Sequence, residues 1–137
     1  MPNGLIVSSD DEMRLRLAEI AAQCRFVVVF ASTVAEARLC FRRHRVSIVV
    51  CQEHLDDGEY DAIVKITQAV VPGIPVIVLS RTGDWAEYLS AIQAGVFDYL
   101  AYPPIPGELE RIIQNALRAC ARRLHFEGTQ SLSFGAE

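Results

Sequence analysis

Side chains able to do polar chemistry gather in a few short stretches of the sequence. Ser8, Ser9, Asp10, Asp11 and Glu12 follow one apolar run, while Gln52, Glu53 and His54, with Asp56, Asp57 and Glu59 around Gly58, follow another. Ser80, Tyr99 and Tyr102 end two further runs, and Trp85 lies just beyond Ser80. Grouped carboxylates can hold a hard cation, and a histidine can relay a proton. Each group also has a plainer reading. Acids at the start of a helix complement its dipole, acids beside glycine make turns, and His54 reads as a lone solvent-facing side chain. Cys24, Cys40, Cys51 and Cys120 form no C-x-x-C pair, and each stands in an apolar segment, so core packing rather than redox or metal chemistry is expected of them.

The elements that must position these groups follow from the hydrophobic pattern. Short apolar runs, beginning near Leu5, Phe26, Val46, Ile74 and Phe97, alternate with longer amphipathic ones. Phe26 to Phe30 and Pro75 to Leu79 are apolar without alternation, which predicts strands buried on both faces. Between them, Met13, Leu17, Ile20, Ala21 and Cys24 recur at helical spacing. Thr33 and Glu36 have capping-box spacing ahead of a second helix with Val34, Ala37 and Phe41 on one side. Ile63, Ile66 and Val70 mark a third, stopped by Pro72-Gly73. Asp84 is a candidate N-cap for a fourth, with Trp85, Leu89 and Ile92 as its stripe and Gly95 as its stop. Leu109, Ile112, Ile113, Ala116, Leu117, Cys120 and Leu124 give the fifth a continuous apolar face. Arg118, Arg122 and Arg123 sit near its end, where cations suit the dipole.

Five strand-helix units in succession predict a doubly wound, three-layer α/β fold with a parallel sheet in the order 2-1-3-4-5. Ligands of such folds sit beyond the carboxyl ends of the strands, where the groups named above fall. The expected domain covers residues 4–124, with 125–137 as a polar tail or truncated linker.

Composition narrows the function. The chain has 137 residues, 51% apolar and 22% charged, enough for one globular core. Its net charge of −4 provides no general attraction for nucleic acid or an anionic membrane. No apolar run approaches the roughly 20 residues that span a bilayer, and the N-terminus lacks the form of a leader peptide. A cytoplasmic protein with no nucleic-acid, membrane or small-molecule partner is expected. Flavin, which also uses this sheet order, is disfavoured because Asp10, Asp11 and Glu12 would repel its phosphate.

Pro75-Val-Ile-Val-Leu-Ser80, then Ala94-Gly95-Val-Phe-Asp98-Tyr99-Leu100 and Pro103, resemble the response-regulator receiver family (CheY-like, flavodoxin-like) of bacterial two-component phosphorelay signalling, over about Leu5 to Leu124. The resemblance implies a phosphoryl switch. An acidic pair after the first strand binds Mg2+, an Asp after the third accepts phosphate, a Ser or Thr after the fourth contacts the phosphoryl group, and a Lys after the fifth neutralises it.

On that pattern Ser8 and Ser9 stand at the acidic pair and Asp10 comes one position late. Counting back from Leu55 puts Gln52 at the acceptor, where an amide cannot form an acyl phosphate. Tyr102 stands in place of the Lys and brings no positive charge. Ser80, and Tyr99 as a switch aromatic, match. A register one residue later would place Glu53 at the acceptor as a permanent charge mimic and Asp10 in the acidic pair.

The resemblance thus implies a degenerate receiver, with no enzymatic activity and no cofactor, acting by protein binding. A histidine kinase or an output domain is the expected partner, with a homodimer through the fourth helix, fifth strand and fifth helix as a further possibility. Tyr99, Tyr102 and Trp85 would supply aromatic anchors on that face. The alternative is a working phosphoacceptor that uses Glu53, Asp56 or Asp57 with Mg2+, held weakly by Asp10 and Glu53.

Overall fold

The structure, a computed structural model, describes residues 3–70 and 73–119. In chain order the elements are β1 (Asn3–Val7), α1 (Asp11–Gln23), β2 (Val27–Ala31), α2 (Val34–Arg43), β3 (Val46–Gln52), β4 (His54–Leu55), β5 (Gly58–Glu59), α3 (Tyr60–Val70), β6 (Val76–Ser80), α4 (Trp85–Ala94) and β7 (Asp98–Ala101). A last helix, α5, occupies 108–119. The main sheet runs β2-β1-β3-β6-β7 with every pairing parallel, the expected order. The small antiparallel pair β4-β5 lies outside that sheet, where a turn was expected.

Side chains alternate across the strands and divide the core in two. On one face Val49, Cys51, Val76 and Val78 pack with α2, α3 and Ala91 of α4. On the other, Ile48, Val50, Ile77 and Leu79 pack with Met13, Leu17 and Ala21 of α1 and with Leu109, Ile112 and Ile113 of α5. This division decides which neighbours each strand-end residue meets.

Side-chain caps start the helices. Asp10 accepts from the Met13 N–H at 3.1 Å, Thr33 from Glu36 at 3.1 Å, and Asp84 from Glu87 at 2.9 Å. The reciprocal arm of the capping box goes to Ser32, whose N–H donates to Glu36 Oε1 at 3.1 Å. Gly95 ends α4 in the left-handed region, at φ 108°, where a side chain would be strained.

Three expectations change. β2 is not buried on both faces: it is a sheet edge, and Val27 and Phe30 are exposed. Val70 is exposed too, and Val64 and Thr67 complete the buried side of α3 with Ile63 and Ile66. On α4 the apolar stripe faces outward, with Trp85 71% exposed and Leu89 and Ile92 also exposed, while Ala91 supplies the buried contact. Periodicity located that stripe, but among the described residues nothing covers it. Cys120, Leu124, Arg122, Arg123 and the expected tail lie outside the described residues.

Candidate functional site

The carboxyl ends of β1, β3, β6 and β7 bring Ser8, Gln52, Ser80 and Tyr102 to one end of the sheet. A cavity of about 220 Å3 opens there, lined in part by Gln52, Glu53, Ser80 and Arg81. A larger cavity of about 350 Å3, beside Gly73, Gly95 and Val96, has no titratable side chain in its lining.

Gln52 and Glu53 are neighbours that enter different networks. Gln52 turns toward β1, where its Oε1 accepts from Ser8 Oγ at 2.8 Å and from the Ser9 N–H at 3.1 Å. The Asp10 N–H donates in turn to Ser8 Oγ at 3.1 Å. Two hydroxyl-bearing residues and an amide thus satisfy one another with no net charge.

Glu53 is 5% exposed and enters the other core layer, beside α3 and α4. Ser80 Oγ donates to its Oε1 at 2.9 Å and accepts from the Thr82 N–H at 3.2 Å. His54 Nε2 is 3.0 Å from the same Glu53 oxygen, and His54 Nδ1 is 3.3 Å from Glu59 Oε1. Tyr99 donates a short hydrogen bond to Glu53 Oε2 and lies 3.1 Å from Glu87 Oε2. Burial, reinforced by the bond to Glu53, raises the Tyr99 phenol well above its ordinary value. Tyr60 and Tyr88 meet the Tyr99 ring edge-on. Gly83 makes room for the phenol, since a side chain there would collide with Tyr99 Oη.

Arg81 supplies a cation that the sequence reading did not weigh. Its Nη2 donates to Asp10 Oδ2 at 2.7 Å, and its guanidinium lies 4.5 Å above the centre of the Tyr102 ring. The Met13 N–H and then Arg81 hold the Asp10 carboxyl below the ordinary carboxylate range. The signal available in the sequence was a basic residue directly after Ser80, at the end of an otherwise apolar strand.

Other candidates fall elsewhere. Asp57 turns away from the cavity and caps α2, accepting from Val34 at 2.8 Å and Ala35 at 3.1 Å, and these bonds lower its pKa. Asp56 is exposed in the β4-β5 turn. Tyr99 and Tyr102 were expected as anchors on an interaction face, but each is only 7% exposed because their rings fill opposite layers of the core. The Tyr102 hydroxyl is buried without a hydrogen-bond partner among the described residues. Of the three aromatics, Trp85 is the exposed one, and it stacks on Tyr88 with centroids 5.2 Å apart. Cys51 is buried, which pushes its thiol pKa up and leaves it a packing residue.

A magnesium ion at the β1-β3 end would need hard, negatively charged oxygen ligands. The residues present do not fit one: Ser8, Ser9 and Gln52 are neutral and mutually bonded, and the Asp10 carboxylate is taken by Arg81. Among the described residues, no group of three or more His, Cys, Asp or Glu is placed to hold a metal. None of the described helices is long and apolar enough to cross a membrane.

Comparison with known proteins places this geometry. No family model matches the chain. It is 30% identical over 121 residues to the transcriptional regulatory protein GlrR of Escherichia coli K12, covering 88% of this chain and 27% of that protein. It is 28% identical over 114 residues to the response regulator protein PilR of Pseudomonas aeruginosa, covering 83% and 26%. The chain therefore spans about a quarter of the length of these curated relatives. A CheY-like response regulator receiver domain protein from Methanospirillum hungatei superposes with a TM-score of 0.81 at 19% identity, over 90% of this chain and 98% of that one. The beryllofluoride-activated NtrC4 receiver domain dimer gives 0.76 at 20% identity, over 89% and 98%. Over most of its length the chain is thus similar in sequence to part of these regulators, and it shares the fold of the receiver domains among its structural neighbours.

Proposed function

We propose that this chain is an atypical receiver module of two-component signalling, a cytoplasmic protein-binding domain without phosphoryl chemistry or enzymatic turnover of its own. The observation that carries this reading is the state of Ser80. The hydroxyl that the family offers to a phosphoryl group is already bonded to the buried Glu53 carboxylate, which also holds Tyr99. Gln52 supports it from the other side, since an amide bonded to Ser8 and Ser9 has no carboxylate to phosphorylate.

The unconventional acceptors fit less well. Both Asp57 oxygens are engaged by α2, and both Glu53 oxygens by Ser80, His54 and Tyr99. Tyr102 brings no cation, and Arg81 is committed to Asp10. Glu53 acts instead as a fixed internal acceptor that keeps Ser80 and Tyr99 turned inward without a phosphorylation event.

What remains to signal with is a surface. Trp85, Leu89 and Ile92 lie at i, i+4 and i+7 on α4, a spacing that suits a groove or helix on a partner. A histidine kinase, an output domain or a second copy would dock there.

Mass spectrometry after incubation with Mg2+ and a small acyl phosphate tests the chemical half of this proposal. An unchanged mass is expected; a stable phosphate adduct on any residue overturns it.

A further inference from the structure

The charged residues of this acidic chain are unevenly placed. The strand-end side of the fold, in its loops and in the first turns of α1 and α3, carries Asp10, Asp11, Glu12, Asp56, Asp57, Glu59 and Asp61, where Arg14, Arg16, His54 and Arg81 provide only partial compensation. The other end of α2 is the reverse. Arg38, Arg42, Arg43 and Arg45 are all exposed, and among the described residues none pairs with a carboxylate. Glu36 is the one acid in residues 34–46, and the Ser32 N–H occupies it.

Helix dipole accounts for Arg42 and Arg43, which lie in the last turn of α2. It does not account for Arg38 in mid-helix or Arg45 beyond the cap. At 100° per residue, Arg38, Arg42, Leu39 and Arg43 span one exposed arc of about 140°, which begins beside buried Val34 and ends opposite it at Arg43. Leu39, 45% exposed, sits in the middle of the guanidinium groups. Arg38 and Arg42 are like charges at i, i+4, a spacing that repels unless an anion intervenes.

We propose that this basic face of α2 seats against the acidic strand-end loops of a second copy of the chain, in a head-to-tail contact. The complement is present on the same molecule: Asp56 and Asp61 are exposed and unpaired among the described residues. Within one copy Arg42 and Arg43 lie about 12–14 Å along α2 from its Asp57-capped start, eight and nine residues at 1.5 Å each, and neither pairs with Asp56 or Asp61. Nucleic acid fits less well: a net charge of −4 repels phosphate at long range, and exposed Leu39 has no use against a sugar-phosphate backbone. Because the two patches differ, the contact is heterologous and open-ended. It uses neither α4 nor the strand-end pocket, so it stands or falls independently of the function proposed above.

Sedimentation velocity on the whole chain tests it. The wild type should show concentration-dependent association at about 0.05 M salt that weakens at least tenfold by about 0.5 M, as expected for exposed charges. Arg42→Glu with Arg43→Glu should be monomeric, as should Asp56→Lys with Asp61→Lys. Mixed, they should associate again, since each keeps the end that the other lacks. Should charge reversal unfold α2, Arg42→Ala with Arg43→Ala serves the same purpose. A wild type monomeric at low salt, variants that associate like the wild type, or a mixture without complex overturns the proposal. Salt-sensitive binding of duplex DNA through these arginines, without self-association, would reassign the face and also overturn it.

Discussion

Gln52 and Glu53 are adjacent, similar in size and differ by one ionisable group, yet they belong to two separate halves of the strand-end region. Gln52 sits in a neutral set of mutual hydrogen bonds with Ser8 and Ser9 on the β1 side. Glu53 is a buried side chain held by Ser80, Tyr99 and His54 on the α3-α4 side. Strand alternation sends them apart. The two networks are therefore separate, and the buried one has more to lose when disturbed.

Glu53→Ala is the hardest test of that contrast. It removes a buried acceptor and strands the hydroxyls of Ser80 and Tyr99, which should cost about 2–3 kcal/mol. Urea denaturation would show it as a lower midpoint, whereas Gln52→Ala should cost only about 1 kcal/mol. Equal losses would dissolve the distinction between the halves.

Gly83→Ala probes the buried half from outside. A side chain there must push the Tyr99 phenol off its acceptors, a form of overpacking that costs about 1–3 kcal/mol. Thermal melting should detect it, and Tyr99→Phe should relieve part of the penalty by removing the colliding hydroxyl.

Acid titration separates the strand-end loops from both networks. The Val34 and Ala35 N–H groups depress the Asp57 pKa, so its contribution is present above the ordinary carboxylate value and is lost as pH falls through the lower, folded value. Asp57→Asn should thus melt below the wild type at neutral pH, and the gap should close in acid. A pH-independent gap would remove electrostatics from the account.

Tyr102→Phe should have the smallest effect. Its hydroxyl is buried without a partner among the described residues, so deleting it should leave stability unchanged or raise it by up to about 1 kcal/mol. A clear loss in a melting experiment would mean that the hydroxyl is satisfied in solution.

Much of this molecule is legible from its residues. The β-branched runs and the caps Thr33 and Asp84 specify a parallel sheet and where its helices begin, because those signals are local. Gln52, Ser8, Ser9 and Ser80 all reach the expected end of the sheet, since strand ends in this topology share one edge. Their pairing was not legible: Ser80 bonds to Glu53, one position past the end of β3 and on the other face from Gln52. The outward stripe of α4 was hidden for a related reason. Apolar spacing identifies a face, and only tertiary packing says whether anything covers it. Asp57 reads as a turn residue, but its carboxylate caps a helix 22 and 23 positions away.

Arg81 has a consequence for how this domain responds to its surroundings. A dissociable cation between strand ends would add stability according to its concentration, and such a domain would have empty and loaded forms. A guanidinium attached to the backbone is always present and does not deprotonate in the physiological range. The link from β6 to Asp10 accordingly has no binding isotherm: neither chelators nor millimolar Mg2+ should move the melting temperature, and the junction is complete as soon as the chain has folded.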